Sequence, residues 1–231
     1  MRKSAGSFRL LGVSLRDNLP APANRPYRGT TKVDSIEGFV LAGGASRRMG
    51  RDKAHLVLGG QTFIELIATA LTAVTGAVTI VSSDREDEDF NFAGQPLQVV
   101  ADVFEKWGAL GGLHAALSAS RTEWALVVAC DLPFVTGELF LHLARLRGDY
   151  DAVAPVQADG RPQPLCALYR VDSCRPASEK LIKLGERRPV TLLQSLRTRW
   201  VEFAELAGLA GASKFFENVN TPEDYARARG I

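Results

Sequence analysis

The sequence predicts an α/β protein, a three-layer αβα fold around a mostly parallel sheet. Three observations carry this. Short apolar runs alternate with helix-patterned segments from residue 36 onward. Several runs, such as Trp124–Ala129, are continuously apolar, as strands covered on both faces are. Glycine-bearing or acidic turns follow several of them directly, at the strand ends where such sheets bind ligands. At 231 residues, 46% hydrophobic and 23% charged, the chain is long enough to bury a large core as one domain.

Residues 1–35 are expected to lie outside that domain, as a disordered extension or the product of a start codon placed too early. They have little apolar periodicity, and Asn18, Pro20, Pro22, Asn24, Pro26 and Gly29 interrupt any helix. Residues 36–231 form the single domain. Its strand candidates are Ile36–Ala42, Ala77–Ser82, Leu97–Ala101, Trp124–Ala129, Ala152–Val156, Leu165–Tyr169 and Trp200–Phe203. The first helix, Thr62–Val74, has apolar residues at helical spacing, and Thr62 with Glu65 has the spacing of a capping box. Further helices are expected over Leu110–Ala119 and Gly137–Leu146, around Leu181, Ile182 and Leu184, and over Val190–Leu196. The last helix starts at Thr221, with Pro222 in its first turn and Asp224 three residues after the cap.

Charge is unevenly spread. Residues 1–35 hold seven Lys/Arg against two Asp/Glu, so the rest of a chain of net charge +2 is at −3. A body without its own basic face argues against nucleic acid as a partner. No apolar run reaches the length of roughly 20 residues that a membrane helix needs. Cys130, Cys166 and Cys174 are an odd set without metal-ligand spacing and read as small buried hydrophobes in a reducing cytoplasm. His55, His114 and His142 are scattered and read as surface or packing residues.

The chemistry concentrates in Leu41–Lys53, LAGGASRRMGRDK, which follows the first strand. It combines Gly43, Gly44 and Gly50 with Arg47, Arg48, Arg51 and Lys53 against one acid, Asp52. Glycines allow close backbone approach, and N–H groups with cationic side chains suit a polyphosphate. The loop is not a Walker A motif, because Arg51 follows Gly50 where a lysine is required. A solvated basic turn is the plain alternative. Asp131, after WALVVAC, puts a carboxylate at a buried strand end, where Mg²⁺ bridging phosphates would satisfy it; a turn or helix-cap aspartate is the alternative. Asp102, after QVVA, repeats the arrangement, and Gly108, Gly111 and Gly112 open the helix beyond it.

LAGGASRRMGRDKA, ACDLPF, RPQPLCALY, GERRP and NVNTPEDY occur in this order. Together they resemble the molybdenum cofactor guanylyltransferase family, within the glycosyltransferase-A-like nucleotidyltransferases. The resemblance covers residues 36–229 and implies a Rossmann-like sheet of the nucleotide-diphospho-sugar transferase type. It implies GMP transfer from GTP to the terminal phosphate of molybdenum-molybdopterin, with pyrophosphate released and Mg²⁺ required. It gives Leu41, Ala42, Gly43, Lys53, Ser82, Asp102 and Asp131 to the nucleotide, with Lys53 and Asp131 catalytic and Asp131 on the metal. Ser82 stands where the family often has Asn. Arg187, Arg188, Asn218 and Asn220 fall to the acceptor. Arg187 and Arg188 have the fork geometry that suits a phosphate, with a solvated basic turn as the plain alternative. The alternative for Asn218 and Asn220 is hydrogen bonding of the turn before the last helix. Molybdenum cofactor insertion proteins and apo-molybdoenzymes would take the product. A cytidylyltransferase of the same fold is the nearest alternative. AGG in the loop and NVNTPED in the tail favour guanine over the AAG and DIDTPED-like forms of cytidylyl relatives. A non-catalytic nucleotide-binding module would be expected to lack Asp131 or Lys53, both of which are present, and a carrier of the finished cofactor would bind the dinucleotide tightly without turnover.

Overall fold

The structure, a computed structural model, describes residues 35–42, 55–82, 90–101, 104 and 107–230. Seven of the described strands form one sheet. In chain order the strands are β1 (Ile36–Leu41), β2 (Val57–Leu58), β3 (Gln61–Thr62), β4 (Val78–Ser82), β5 (Asn91–Phe92), β6 (Gln95–Pro96), β7 (Gln98–Ala101), β8 (Trp124–Ala129), β9 (Ala152–Pro155), β10 (Cys166–Arg170) and β11 (Thr198–Val201). The sheet order is β11-β9-β10-β8-β1-β4-β7, and β2-β3 and β5-β6 are separate short hairpins. Within the large sheet only β10 runs against its neighbours. All six other strands therefore end on one edge, as the mostly parallel reading requires.

Alternation along the strands sends side chains to two faces. Val40, Ile80, Leu126, Val128 and Leu168 face α1 (Phe63–Leu71), α3 (Gly137–Arg145) and α6 (Phe203–Leu206). Phe39, Leu41, Val81, Val127 and Tyr169 face α2 (Ala109–Ala119), α4 (Val171–Lys183) and α5 (Pro189–Gln194). The last helix, α7 (Pro222–Arg229), buries no residue fully. Its Tyr225 and Ala228 pack on a small satellite core of Leu56, Phe63 and Val219.

The expected capping box at Thr62 forms, and the last helix has one as well. Thr62 N–H donates to Glu65 Oε2 at 2.7 Å and Glu65 N–H to Thr62 Oγ1 at 3.2 Å. Thr221 and Asp224 repeat the exchange at 3.0 and 3.1 Å. The three cysteines are free and buried, and burial raises the Cys174 thiol to about 12.

Helix α1 stops at Leu71, three residues short of the expected Val74, α5 ends at Gln194, and two boundaries differ more consequentially. The seventh strand is Thr198–Val201 and not Trp200–Phe203: Arg199 sits in the strand while pairing with Glu205, and Phe203 opens α6. Helix α4 starts at Val171, ten residues before the apolar marks that announced it, and carries Pro176 inside. The expectation for residues 1–34 lies outside the described residues.

Candidate functional site

Register assembles the site's floor. Leu41 pairs with Ala129 on one side and Val81 on the other, and Ser82 pairs with Ala101. The ends of β8, β1, β4 and β7 thus lie side by side, with Ala42 directly after β1 and Asp131 two residues after β8. Two backbone groups here are committed to the sheet: the Leu41 carbonyl accepts from Cys130 N–H at 3.1 Å, and Ala42 N–H donates to the Val81 carbonyl at 2.9 Å. Ala42 and Ser82 are buried. Gly43, Gly44, Lys53 and Asp102, which carry much of the expected nucleotide contact, lie outside the described residues.

Asp131 is half-buried, two residues beyond β8. Its carbonyl accepts the Val219 N–H at 3.0 Å. This bond seats the tail motif Asn218–Asn220 on the Asp131 backbone, joining residues 88 positions apart. Val219 is 1% exposed and packs with Leu56 and Phe63, while Asn218 and Asn220 on either side are exposed. Tyr225 Oη donates to the Val57 carbonyl at 2.6 Å. The tail is therefore fixed both to Asp131 and to the described residues that immediately follow the Leu41–Lys53 loop.

Arg187 and Arg188 are held at another place on the same edge. Helix α4 begins against Glu123 at the foot of β8 and climbs back to the ligand edge, where Gly185 turns it. Glu186 accepts the backbone N–H groups of Arg187 and Arg188, two bonds from the Arg188 guanidinium, and the Thr191 hydroxyl. The Arg188 guanidinium, and then these other donors, hold the Glu186 carboxyl far below the usual carboxylate range. The Glu186 carbonyl accepts Trp107 Nε1–H at 2.8 Å, and the Arg187 guanidinium lies 5.0 Å over the Trp107 ring. The two acceptor-side segments are thus anchored separately, Asn218–Asn220 to Asp131 and Arg187–Arg188 to Trp107.

Trp107 and Glu186 escaped the sequence reading. Glu186 lies inside the GERRP motif and Trp107 directly precedes Gly108, but neither residue type marks a phosphate site by itself. Of the glycines opening α2, Gly108 has φ +68, a conformation that requires glycine, whereas a Cβ on Gly112 would make only ordinary contact with Leu41.

No group of three or more metal-ligating side chains occurs among the described residues. A single hard carboxylate at a strand end fits a divalent ion shared between protein and phosphates, since Mg²⁺ takes one or two carboxylates beside phosphate oxygens.

A parallel-sheet crevice with a basic glycine-rich loop sequence leaving its first strand and a carboxylate leaving the next defines the class: the protein is a nucleotidyltransferase. It belongs to the family described as the MobA-like NTP transferase domain, which matches residues 38–200. A protein of Pelotomaculum thermopropionicum named "Probable molybdenum cofactor guanylyltransferase" is 35% identical over 192 residues, 83% of this chain and 91% of that one. One of the same name from Clostridium perfringens is 32% identical, over 80% of this chain and 92% of the other. Among solved structures, molybdopterin-guanine dinucleotide biosynthesis protein A of Archaeoglobus fulgidus superposes with a TM-score of 0.68 at 27% identity, covering 84% of this chain and 97% of that one. A 4-diphosphocytidyl-2C-methyl-D-erythritol synthase of Anaerococcus prevotii, 15% identical with a TM-score of 0.58 over 86% and 98% of the chains, shares the fold.

Proposed function

We propose that this nucleotidyltransferase moves GMP from GTP to the terminal phosphate of molybdenum-molybdopterin. The observation that carries this reading is the placement of Asn218–Asn220 on Asp131 in a chain whose relatives are named for guanylyl transfer. A phosphate oxygen of the acceptor attacks the α-phosphorus of GTP. The bond from that phosphorus to the bridging oxygen breaks, and the electron pair leaves with pyrophosphate. The acceptor phosphate is already ionised at neutral pH, so alignment and charge neutralisation suffice and no nucleophilic side chain is needed.

In this reading Asp131 would hold Mg²⁺, which would supply charge neutralisation for the transferring phosphates. Lys53 contacts the phosphates, and Gly43 with the outer backbone of Leu41 and Ala42, Ser82 and Asp102 hold the nucleotide. Asn218 and Asn220 orient the acceptor phosphate. Arg187, over the Trp107 ring, offers its guanidinium toward the acceptor, while Arg188 is largely neutralised by Glu186. The three reduced, buried cysteines support a cytoplasmic setting, with insertion proteins or apo-molybdoenzymes receiving the product. No helix among the described residues is long and apolar enough to cross a membrane.

The deciding experiment supplies GTP or CTP with molybdenum-molybdopterin and Mg²⁺ and follows pyrophosphate. GTP-dependent release with formation of the guanine dinucleotide is expected. Preference for CTP overturns the guanine assignment, and GTP binding without release overturns transfer.

A further inference from the structure

A cleft of about 370 Å³ opens at the ligand edge, lined by Gln157, Asp159, Phe203, Ser213, Phe216 and Glu217 among others. Strands β9 and β11 run parallel and end together there, with Val156 N–H donating to the Val201 carbonyl at 2.8 Å. Because β10 is antiparallel to both β8 and β9, this is also the edge where β8 ends at Asp131. The cleft thus lies on the β8–β11 side of the crevice, away from the β1, β4 and β7 ends assigned to the nucleotide.

Two properties single out its occupant. The half-buried rings of Phe203 and Phe216, with Ala158 and Ala212, offer apolar surface to a flat ring system. Among its polar walls, Asp159 is committed to Arg161 at 2.6 Å, whereas the half-buried Glu217 carboxylate has no hydrogen bond or ion pair with any described residue. Glu217 is also two residues before Val219, whose N–H sits on the Asp131 carbonyl. The Cα atoms of residues 217 and 219 are therefore at most about 7 Å apart.

We propose that this cleft binds the pterin head of the acceptor, with Glu217 reading its 2-amino-4-oxo edge. This rests on the GMP-transfer reading above. A pterin presents its 2-amino and N3–H donors side by side, which matches the two oxygens of one carboxylate. Its phosphate lies at the opposite end of the molecule, so a head against Glu217 sends the phosphate along Asn218 toward Asp131. Glu217 is on this account a specificity residue and takes no part in the bond-breaking step.

The test compares pterin with lumazine, which carries a second oxo group in place of the 2-amino group, by titrating the full-length protein and following each compound's own fluorescence. Wild type is expected to prefer pterin by about tenfold or more, the value of a charge-assisted hydrogen bond pair. Glu217→Gln should lose that preference, because an amide matches lumazine's acceptor–donor edge as well, while its GTP affinity stays unchanged and certifies the fold. In steady-state transfer, Glu217→Gln should raise KM for the acceptor and not for GTP. Equal binding of pterin and lumazine by wild type, absence of saturable pterin binding, or an undiminished preference in Glu217→Gln overturns the cleft assignment. Failure of wild type to release pyrophosphate from GTP with the acceptor overturns the GMP-transfer reading instead, whatever the pterin preference.

Discussion

Gly185–Pro189 and Asn218–Pro222 are both polar turns that enter a helix with proline in its first turn, yet they are built in opposite ways. In the first, the carboxylate precedes the helix, and Glu186 absorbs two backbone N–H groups, the Arg188 guanidinium and a hydroxyl. In the second, the carboxylate lies inside the helix, and Asp224 takes the N–H groups of Asn220 and Thr221 on the turn and pairs with Arg227 further along the helix, not with a cation of the turn itself. The first turn neutralises most of its own polarity and offers one stacked guanidinium. The second is fixed through its backbone and by buried Val219, leaving the Asn218 and Asn220 side chains exposed beside Asp131. Only the second is tied directly to the proposed metal carboxylate.

That asymmetry predicts where substitutions act. The largest effect belongs to Asp131→Ala, which should lower transfer by about 10³-fold or more, the loss of one metal anchor. The variant should retain its far-UV spectrum and a cooperative melt, because Val219 bonds to the Asp131 backbone and not to its carboxylate. Substantial transfer in steady-state assays would detach Asp131 from the chemistry.

Next comes Val219→Ala. Removing two methyls from the satellite core should cost about 2 kcal/mol, read as a lower denaturation midpoint. It should also raise acceptor KM, because the tail loses its seat on Leu56 and Phe63. Stability loss with unchanged acceptor KM would make the tail a structural strap only. Smaller still, Thr221→Ala removes a helix cap and should cost about 1 kcal/mol. Arg188→Ala, on the other turn, should leave the melting temperature unchanged, since Glu186 keeps its backbone and Thr191 bonds.

The same contrast explains what was legible in the sequence. All seven strands of the main sheet announced themselves, because a buried strand needs a run such as Trp124–Ala129 or Val78–Ser82 that water would reject. Thr221 and Asp224 were legible because a capping box is local. Helix α4 was found only by its C-terminal half. Its first turns, VDSCRPASEK, are mostly polar or small and carry Pro176, and tertiary packing of Cys174 and Ile182 overrides the weak local signal. The two-residue hairpin strands were missed because they are too short to show alternation. At the site, Asp131 and the tail motif could be named, but not their union. A backbone bond between residues 131 and 219 leaves no mark in composition or spacing, and neither does Trp107 meeting Glu186.

The subtlest prediction separates the two turns by acidity. Beneath the Gly185 turn, α2 and α4 meet at His114, whose ring bonds to Ser178 at 2.9 Å and Ser118 at 3.2 Å and lies edge-on to Phe104. Burial lowers the His114 pKa below the usual imidazole value; Arg175 and Lys183 lower it further, and Glu179 opposes them. The unfolded chain therefore binds the proton more readily than the folded one, so stability is full above about pH 6.5 and declines as pH falls below it. Asp224 responds to acid in the same sense but in a lower pH window. The N–H of Asn220, foremost among its donors, lowers its pKa, so its contribution to the tail turn persists until pH falls to about 3.9 and below. Between those limits acid should loosen the α2–α4 contact under Arg187 while the tail stays shut. Amide exchange read along the chain should show protection falling first near residues 178–188 and later near 219–225. His114→Gln should abolish the first step, and simultaneous loss at both turns in wild type would show that they open as one unit.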